Sequence, residues 1–438
     1  MTRINVVGAG LAGSEAACYL AKLGHDVCLF DMKPGKHTKA HVYGGFGELV
    51  CSNSLGSDDP MTAPGLLKAE MRKLGSLILE AADSTKVEAG GALAVDRRAF
   101  SDFITSRIKD TKGIRLINEE VKDLTQFNDN EYIIIATGPL TSDDLAIYIS
   151  ELTGKGNLYF FDAVAPIIAS DSIEHEKVFI ASRYGKGSPD YINCPMSEKE
   201  YAAFHYALVN ADSVRMNETD RGAFFEGCVP VEELALRGYM TPVFGPLKPV
   251  GLTDPKQPEK RFFAVVQLRK ENREGTMYNM VGFQTRLTFK EQKRVFSMIP
   301  GLENAEFLRY GVMHRNTYIN SPRLLDRFYR LRKDKRIFIT GQLSGVEGYV
   351  ESASSGLYAA LQLNRIIKGQ DTLDFTAFTC IGALADYISD ESISNFQPMN
   401  SNFGILKDAS NVSKKNRKEA KMKKSLEFID NYLSNIHP

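Results

Sequence analysis

No run of about 18 apolar residues occurs in this chain, so no membrane-spanning helix is expected. Net charge is missing too. The 54 lysines and arginines balance 54 acids, so overall basicity does not mark a nucleic-acid binder, although a local patch stays open. Cysteine is scarce and unpatterned: Cys18, Cys28, Cys51, Cys194, Cys228 and Cys380 include no C-x-x-C pair and no metal-ligand spacing. No metal ligand is therefore expected. The chain enters an apolar run at Ile4, which leaves no room for a signal peptide. With so few thiols, this points to a reduced, cytoplasmic setting. Repeats and low-complexity stretches are also absent. What remains is a composition ordinary for a soluble globular protein, with 43% hydrophobic residues. At 438 residues the chain is too long for one minimal core and suits two domains.

The most informative stretch is the first 31 residues. Ile4-Asn5-Val6-Val7 is an apolar run, followed at once by Gly8-Ala9-Gly10-Leu11-Ala12-Gly13. Ser14 to Leu23 reads as a helix, with Ala17, Leu20, Ala21 and Leu23 available to face a sheet, and Gly24 is placed to end it in a left-handed turn. Val27 to Phe30 is a second strand, closed by Asp31. Strand, glycine loop, helix, strand and acid stand in the order of a dinucleotide site. Gly8 permits the tight turn, Gly10 lets the backbone approach a pyrophosphate, and Gly13 lets helix and strand lie close. The helix N-terminus offers free N–H groups to phosphates, and Asp31 would accept from a ribose.

FAD is favoured over NAD at this site. Tyr132 to Ile135 runs into Ala136-Thr137-Gly138, resembling the strand end of two-dinucleotide flavoproteins. Arg336 to Ile339 runs into Thr340-Gly341-Gln342, a late strand of the kind that closes over the cofactor. Gly345 to Gly348 then opens a helix running to about Ile367, so Gly341, Gln342 and Gly345 are candidate cofactor residues. Glu347 and Tyr349 are the polar groups there able to face a substrate.

Between these ends the chain has distinct textures. Residues 32–54 lack a regular pattern, and long irregular segments inside compact domains are often functional. Cys51 sits in this one, although a cysteine is more often simply packed. Pro64 to Ala82 has helical spacing, and Asp96 can cap a helix carrying Phe100, Ile104 and Ile108. From about residue 165 short strands and polar loops replace the βαβ rhythm, with one helix at Ser197 to Leu208 opened by a Ser197/Glu200 capping box. The expected organisation is a first part of the FAD domain at 1–165, an inserted domain at 166–307, and a second part at 308–438. The insertion holds Phe225-Glu226-Gly227-Cys228, and the cations Arg269, Lys270, Arg273, Arg286, Lys290, Lys293 and Arg294, which are able to neutralise phosphates or simply to form a solvated face. His314 lies in what reads as a loop near the cofactor. A basic run between Lys414 and Lys424 suits a terminal helix that either contacts RNA or solubilises the chain.

Taken together, these stretches resemble one family, the bacterial folate- and FAD-dependent tRNA (uracil-5-)-methyltransferases that form the 5-methyluridine of the T-loop. The resemblance rests on residues 6–17, 48–55, 90–97, 225–228, 311–317 and 345–352, with Phe396 to Asn400 fitting as well. It implies an α/β fold: a Rossmann-like FAD-binding domain of the two-dinucleotide type with an inserted smaller α+β domain. It implies FAD as cofactor, NAD(P)H and 5,10-methylenetetrahydrofolate as co-substrates, and the tRNA T-arm as partner. No obligate protein partner is evident. The chemistry needs a thiolate that adds at uracil C6, making C5 nucleophilic, and a base that removes the C5 proton. The family's cysteine pair maps onto Cys51 and Cys228, with the two roles undivided. His314 matches the position expected to stack the folate ring, with Glu347 and Tyr349 lining that pocket. Three other readings stay open: the same chemistry on a ribosomal RNA uridine, a small-molecule FAD oxidoreductase, and a flavin-bearing RNA-binding protein without turnover.

Overall fold

The computed structural model describes residues 3–38, 40–154, 158–185, 188–214, 229–407, 413 and 416–436. Five short apolar runs form one parallel sheet in the order Ile337–Ile339, Tyr132–Ile135, Ile4–Val7, Val27–Phe30, Ile114–Ile117. The inner strands are covered on both faces, which is why they read as continuous rather than alternating hydrophobic runs. The turns leaving these strands carry Gly8, Asp31, Thr137 and Gly341, so the sequence-marked residues meet along one edge, where ligands of open α/β sheets bind.

The helix Leu11–Lys22 starts earlier than Ser14, because the glycine loop already takes helical backbone from Leu11. It ends at Lys22, and the chain turns at Gly24 with φ +86°. Leu23 is consequently 39% exposed and does not face the sheet as expected. The long helix Tyr349–Ile367 crosses it so closely that a Cβ on Gly356 would stand 2.1 Å from Ala12 O. The helical spacing of 64–82 resolves into two helices, Ala63–Lys73 and Leu77–Ser84. Gly75, at φ +76°, breaks the run, and Ser76 Oγ accepts from Leu79 N to start the second.

Buried acids tie these helices together. Glu15 accepts from Leu77 N (2.9 Å), Ile78 N (3.0 Å) and Ser76 Oγ (2.6 Å). Glu70 does the same for another helix start, accepting from Cys380 N (2.7 Å) and Ile381 N (3.0 Å), and from Ser425 Oγ (2.6 Å). Each carboxyl satisfies amides a helix cannot satisfy itself. Ser425 belongs to the terminal helix Arg417–Ile436, which also buries Ile429. The described part of the basic run thus lies on a docked helix and takes part in the docking: Lys421 donates to Phe403 O (2.7 Å) and Leu406 O (2.8 Å), and Lys424 lies over the Phe378 ring.

A second sheet has six strands, in the order Phe179–Ile180, Tyr191–Met196, Ala264–Lys270, Met277–Met280, Ile167–Ala169, Phe307–Arg309, all antiparallel. The helix Glu198–Val209, opened by the Ser197/Glu200 capping box, and the helix Phe289–Phe296 pack with it. Two large hydrophobic cores result, with two small satellite clusters around Val265 and Ala94. One gathers residues from Ile4 to Ile149 and from Tyr318 to Tyr432; the other gathers Ala165 to Ala305. The antiparallel pair Leu158–Ala163 and Met313–Tyr318 runs between them. No helix among the described residues is long and apolar enough to cross a membrane.

Candidate active site and dinucleotide cleft

The cleft at the sheet edge is lined by Val7, Gly8, Gly10, Asp31, Thr137 and Ser142, among others, and encloses about 670 Å³ including its open side. Its glycines do different work. A Cβ on Gly13 would stand 1.8 Å from Gly8 O, and one on Gly8, at φ +99°, 2.7 Å from Ala136 O. Both are closed in by protein. Gly10 has nothing nearer than Ala136 O at 4.0 Å, so its face is open to a ligand. As helix N-cap it supplies no side-chain bond, and the first turn contains no acid. Free amides and the positive helix end therefore face the cleft, which suits a pyrophosphate. Asp31 Oδ2 accepts Ala9 N at 2.7 Å and Oδ1 accepts Lys33 N at 2.8 Å. The acid thus holds the glycine loop, and its remaining lone pairs suit a ribose hydroxyl. These donors and this open backbone fit FAD.

The second glycine cluster is shaped by close packing. Gly341 (φ +70°) donates its N–H to Ser355 Oγ at 2.7 Å. Gly345 (φ +84°) lies against Phe396, 2.4 Å from the place a Cβ would take. Gly345 O and Glu347 N both bond Met399, bringing the late Phe396 to Asn400 stretch onto the loop. Gln342 Nε2 donates to Glu347 Oε2.

Around Cys51 the chain gathers groups from four distant segments. Three consecutive carbonyls are each taken by an arginine. Arg97 Nη1 donates to Leu49 O (2.6 Å), Arg309 Nη2 to Val50 O (2.9 Å), and Arg97 Nη2 to Cys51 O (3.5 Å). Arg269 donates to Ser52 Oγ (2.7 Å) and Asn53 Oδ1 (3.0 Å), and buried Asn53 donates on to Val95 O and Lys270 O. Tyr349 closes the ring: its hydroxyl oxygen accepts Cys51 N at 2.7 Å and Ser52 N at 3.2 Å. Cys51 Sγ lies 3.8 Å from Ala163 O, at the end of the strand paired with Met313–Tyr318. The thiol is partly exposed and so open to a substrate.

Charge in this cluster is balanced by Glu271, which pairs with Arg97 Nε at 2.5 Å and is almost fully buried. Burial works against the Arg97 charge, and Glu271 together with Tyr349 and Cys51 outweighs it. Arg309 is held below its ordinary value by burial and by neighbouring Arg97. Both guanidinium groups lie within Coulombic reach of an ionised Cys51. Burial pushes the Tyr349 phenol far up, and the Cys51 charge acts in the same direction, so its hydroxyl stays neutral.

The structure therefore brings Cys51 and Tyr349 together, and Tyr349 grips the cysteine backbone. His314 falls in a strand, Met313–Tyr318, opposite Asp162, and not in a loop. Cys228 lies outside the described residues. The described chain on either side of it returns to one place: Val214 N donates to Arg286 O (2.9 Å) and Val231 N to Gln284 O (2.8 Å). Arg286 is occupied there by Glu233, Ser213 and Val214. The cations of the insertion thus divide. Arg269 is buried, Lys270 pairs with Glu88, Arg294 with Glu291, and Arg273 bonds Ser84 O. Lys290 and Lys293 remain exposed, with no ion-pair partner among the described residues. Composition had given Arg97, Arg309 and Glu271 no distinction; only contact across the fold does.

The family model described as "Glucose inhibited division protein A" matches residues 3–371. A methylenetetrahydrofolate–tRNA-(uracil-5-)-methyltransferase of Acetivibrio thermocellus is 57% identical over 403 residues, 92% of each chain. The enzyme of the same name from Aquifex aeolicus is 50% identical over 433 residues, 98% of this chain and 96% of that one. In Bacillus subtilis the identity is 52% over 416 residues, covering 95% and 94%. Among solved structures, GidA of Aquifex aeolicus superposes with a TM-score of 0.68 at 15% identity, over 98% of this chain and 73% of that chain, a likeness of fold.

Proposed function

The chain belongs to the methylenetetrahydrofolate–tRNA-(uracil-5-)-methyltransferases of the GidA family, and from that premise we propose how its residues divide the work of forming 5-methyluridine in tRNA. It is an FAD-dependent enzyme that takes its one-carbon unit from methylenetetrahydrofolate. When bound, FAD supplies reducing equivalents, drawn from NAD(P)H, that convert the methylene transferred to the base into methyl. The amides of the Gly10 to Gly13 helix start would hold its pyrophosphate, with Gly8 and Ala9 shaping the loop beneath it, and Asp31 would hold its ribose, with Gly341, Gln342 and Gly345 closing over it. His314, Glu347 and Tyr349 would face the folate side. The FAD domain is assigned to 1–165 and 308–438 and the inserted domain to 166–307.

Cys51 and Cys228 are the two groups proposed to touch the uridine. One thiolate adds to C6, the electron pair moves to C5, and C5 attacks the methylene carbon. The other cysteine takes the C5 proton as the folate nitrogen leaves, and reduction of the resulting exocyclic methylene to methyl expels the first cysteine from C6. One observation supports a reactive Cys51 above the rest. The loop is held rigid through its backbone, by Tyr349 and two arginines, while its sulfur stays accessible. A merely packed cysteine needs no such clamp. The T-arm is the proposed RNA element and the cytoplasm the proposed compartment.

The test supplies full-length protein with FAD, NADPH and methylenetetrahydrofolate labelled in its methylene carbon. Unmodified tRNA and unmodified ribosomal RNA are offered separately, then digested. Labelled 5-methyluridine from tRNA is expected. Label in ribosomal RNA alone would replace the substrate, and label in neither would overturn the assignment.

A further inference from the structure

At the end of the insertion, and reaching Tyr310 just beyond it, runs an aromatic ladder that the chemistry above does not use. Phe307 and Tyr310 stack with centroids 5.3 Å apart and planes 7° from parallel. Tyr310 stacks in turn on Phe289, at 4.8 Å and 17°. Three near-parallel rings thus run outward from the second core. The last of them, Phe289, is 55% exposed, so its outer side is open. Buried phenylalanines complete cores; an exposed one ending a parallel stack offers a bare π-face to water.

The ladder is rigid. Gln292 is fully buried and clamps the helix Phe289–Phe296 to the turn after Tyr310: its Nε2 donates to Leu287 O (2.7 Å) and Gly311 O (2.9 Å), and its Oε1 accepts Gly311 N (2.8 Å). Gly311 has no room for a Cβ, which would stand 2.6 Å from Val164 O. The ladder is also continuous with the Cys51 cluster. Tyr310 directly follows Arg309, whose guanidinium holds Val50 O beside Cys51. Next to the exposed ring along the helix stand Lys290 and Lys293, two exposed cations with no ion-pair partner among the described residues.

A flat aromatic face flanked by unpaired lysines, rigidly joined to a cysteine that acts on uridine, matches single-stranded RNA: bases stack on the ring and phosphates meet the cations. We propose that Phe289, backed by Tyr310 and Phe307, is a stacking platform for a nucleobase of the RNA substrate, with Lys290 and Lys293 contacting the adjoining phosphates. This rests on the RNA-methyltransferase reading and adds where the unpaired loop is gripped. A target uridine must leave its stack to react, and a platform beside the site gives a neighbouring base somewhere to go.

Full-length, FAD-loaded protein is titrated into a fluorescein-labelled, unmodified T-arm hairpin and followed by anisotropy. F289A is expected to weaken binding ~10- to 100-fold, and F289Y, which keeps a ring, to retain it. K290A/K293A should weaken binding and reduce the slope of log K against log salt by about 1.4, two contacts to a single strand. Three results overturn the platform: no hairpin binding by the unsubstituted chain, F289A binding as well as that chain, or F289Y failing as badly as F289A. Sedimentation supplies a fourth: a dimer lost in F289A with RNA affinity unchanged would assign the face to a second copy. The methylation assay fails independently, since hairpin affinity is read without turnover.

Discussion

The dinucleotide cleft and the Cys51 cluster solve opposite problems. The cleft takes its phosphate cradle and its acid from one continuous stretch, with Thr137 and Ser142 completing the lining, and the cradle's work is done by backbone: amides at a helix start, glycines where protein or ligand must come close. The cluster is built from Leu49 to Asn53, Arg97, Arg269, Arg309 and Tyr349, segments scattered along most of the chain, and its work is done by side chains bonding to the loop's backbone and to its Ser52 and Asn53 side chains. A ligand cradle tolerates assembly from local geometry, since a phosphate needs only donors pointing one way. Placing one sulfur against a particular carbon demands clamps from several directions.

The largest expected effect lies in the cluster. Cys51→Ala should lower labelled 5-methyluridine formation by at least ~10³-fold, as loss of a covalent nucleophile or its partner does. Turnover close to that of the unsubstituted chain would break the contrast and leave Cys51 a packed residue.

In the cleft, Gly13→Ala forces a methyl against Gly8 O and should cost about 3 kcal/mol of stability, read as a lowered denaturant midpoint. Gly10→Ala meets nothing nearer than 4.0 Å and should leave stability within about 0.5 kcal/mol. It should instead weaken FAD roughly tenfold, or about 1.4 kcal/mol. Equal stability losses for the two would show that no glycine here is kept open for a ligand.

Tyr349→Phe leaves the Cys51 and Ser52 amides without their acceptor, a loss of about 1–3 kcal/mol in a buried setting. Turnover on tRNA should fall while bound FAD, measured by its absorbance, stays. Loss of both together would make the tyrosine a general structural support.

The smallest effect concerns how the cleft half is held. Burial pushes Glu15 and Glu70 up to about 7 from an ordinary 4.5, with their hydrogen bonds pulling the other way. Such an acid keeps its proton in the folded chain after the unfolded chain has lost it. Its contribution is therefore fully present below about pH 4.5 and is lost as pH rises to about 7. Glu70→Gln should flatten the thermal midpoint across that window, and an unchanged pH profile would sink this account.

Much of the fold was legible because its signals are local. The parallel strands are unbroken apolar runs, the Ser197/Glu200 capping box sits within four residues, and Asp96 caps its helix through Ala99 N at 2.9 Å. The misread places were those where one residue overrode a pattern, as Gly75 did in splitting 64–82, or where pairing came from far away, as Leu158–Ala163 did in making a strand of His314. Among candidate residues, Gly8, Gly10 and Asp31 announced themselves by spacing. Tyr349 was marked for a substrate pocket, and the structure adds its grip on Cys51.

By itself, the order of residues determined the strand, glycine loop, helix and acid of the nucleotide site, because hydrogen bonds and steric room there act between near neighbours. Which cations stayed exposed, and which became clamps, was decided only by tertiary structure. Arg269 and Lys290 are alike as cations in the sequence. Arg269 is buried against Ser52 and Asn53, whereas Lys290 is left in water beside an open aromatic ring. A charge acquires its partner from whatever the fold sets within a few ångströms, and chain order does not encode that distance.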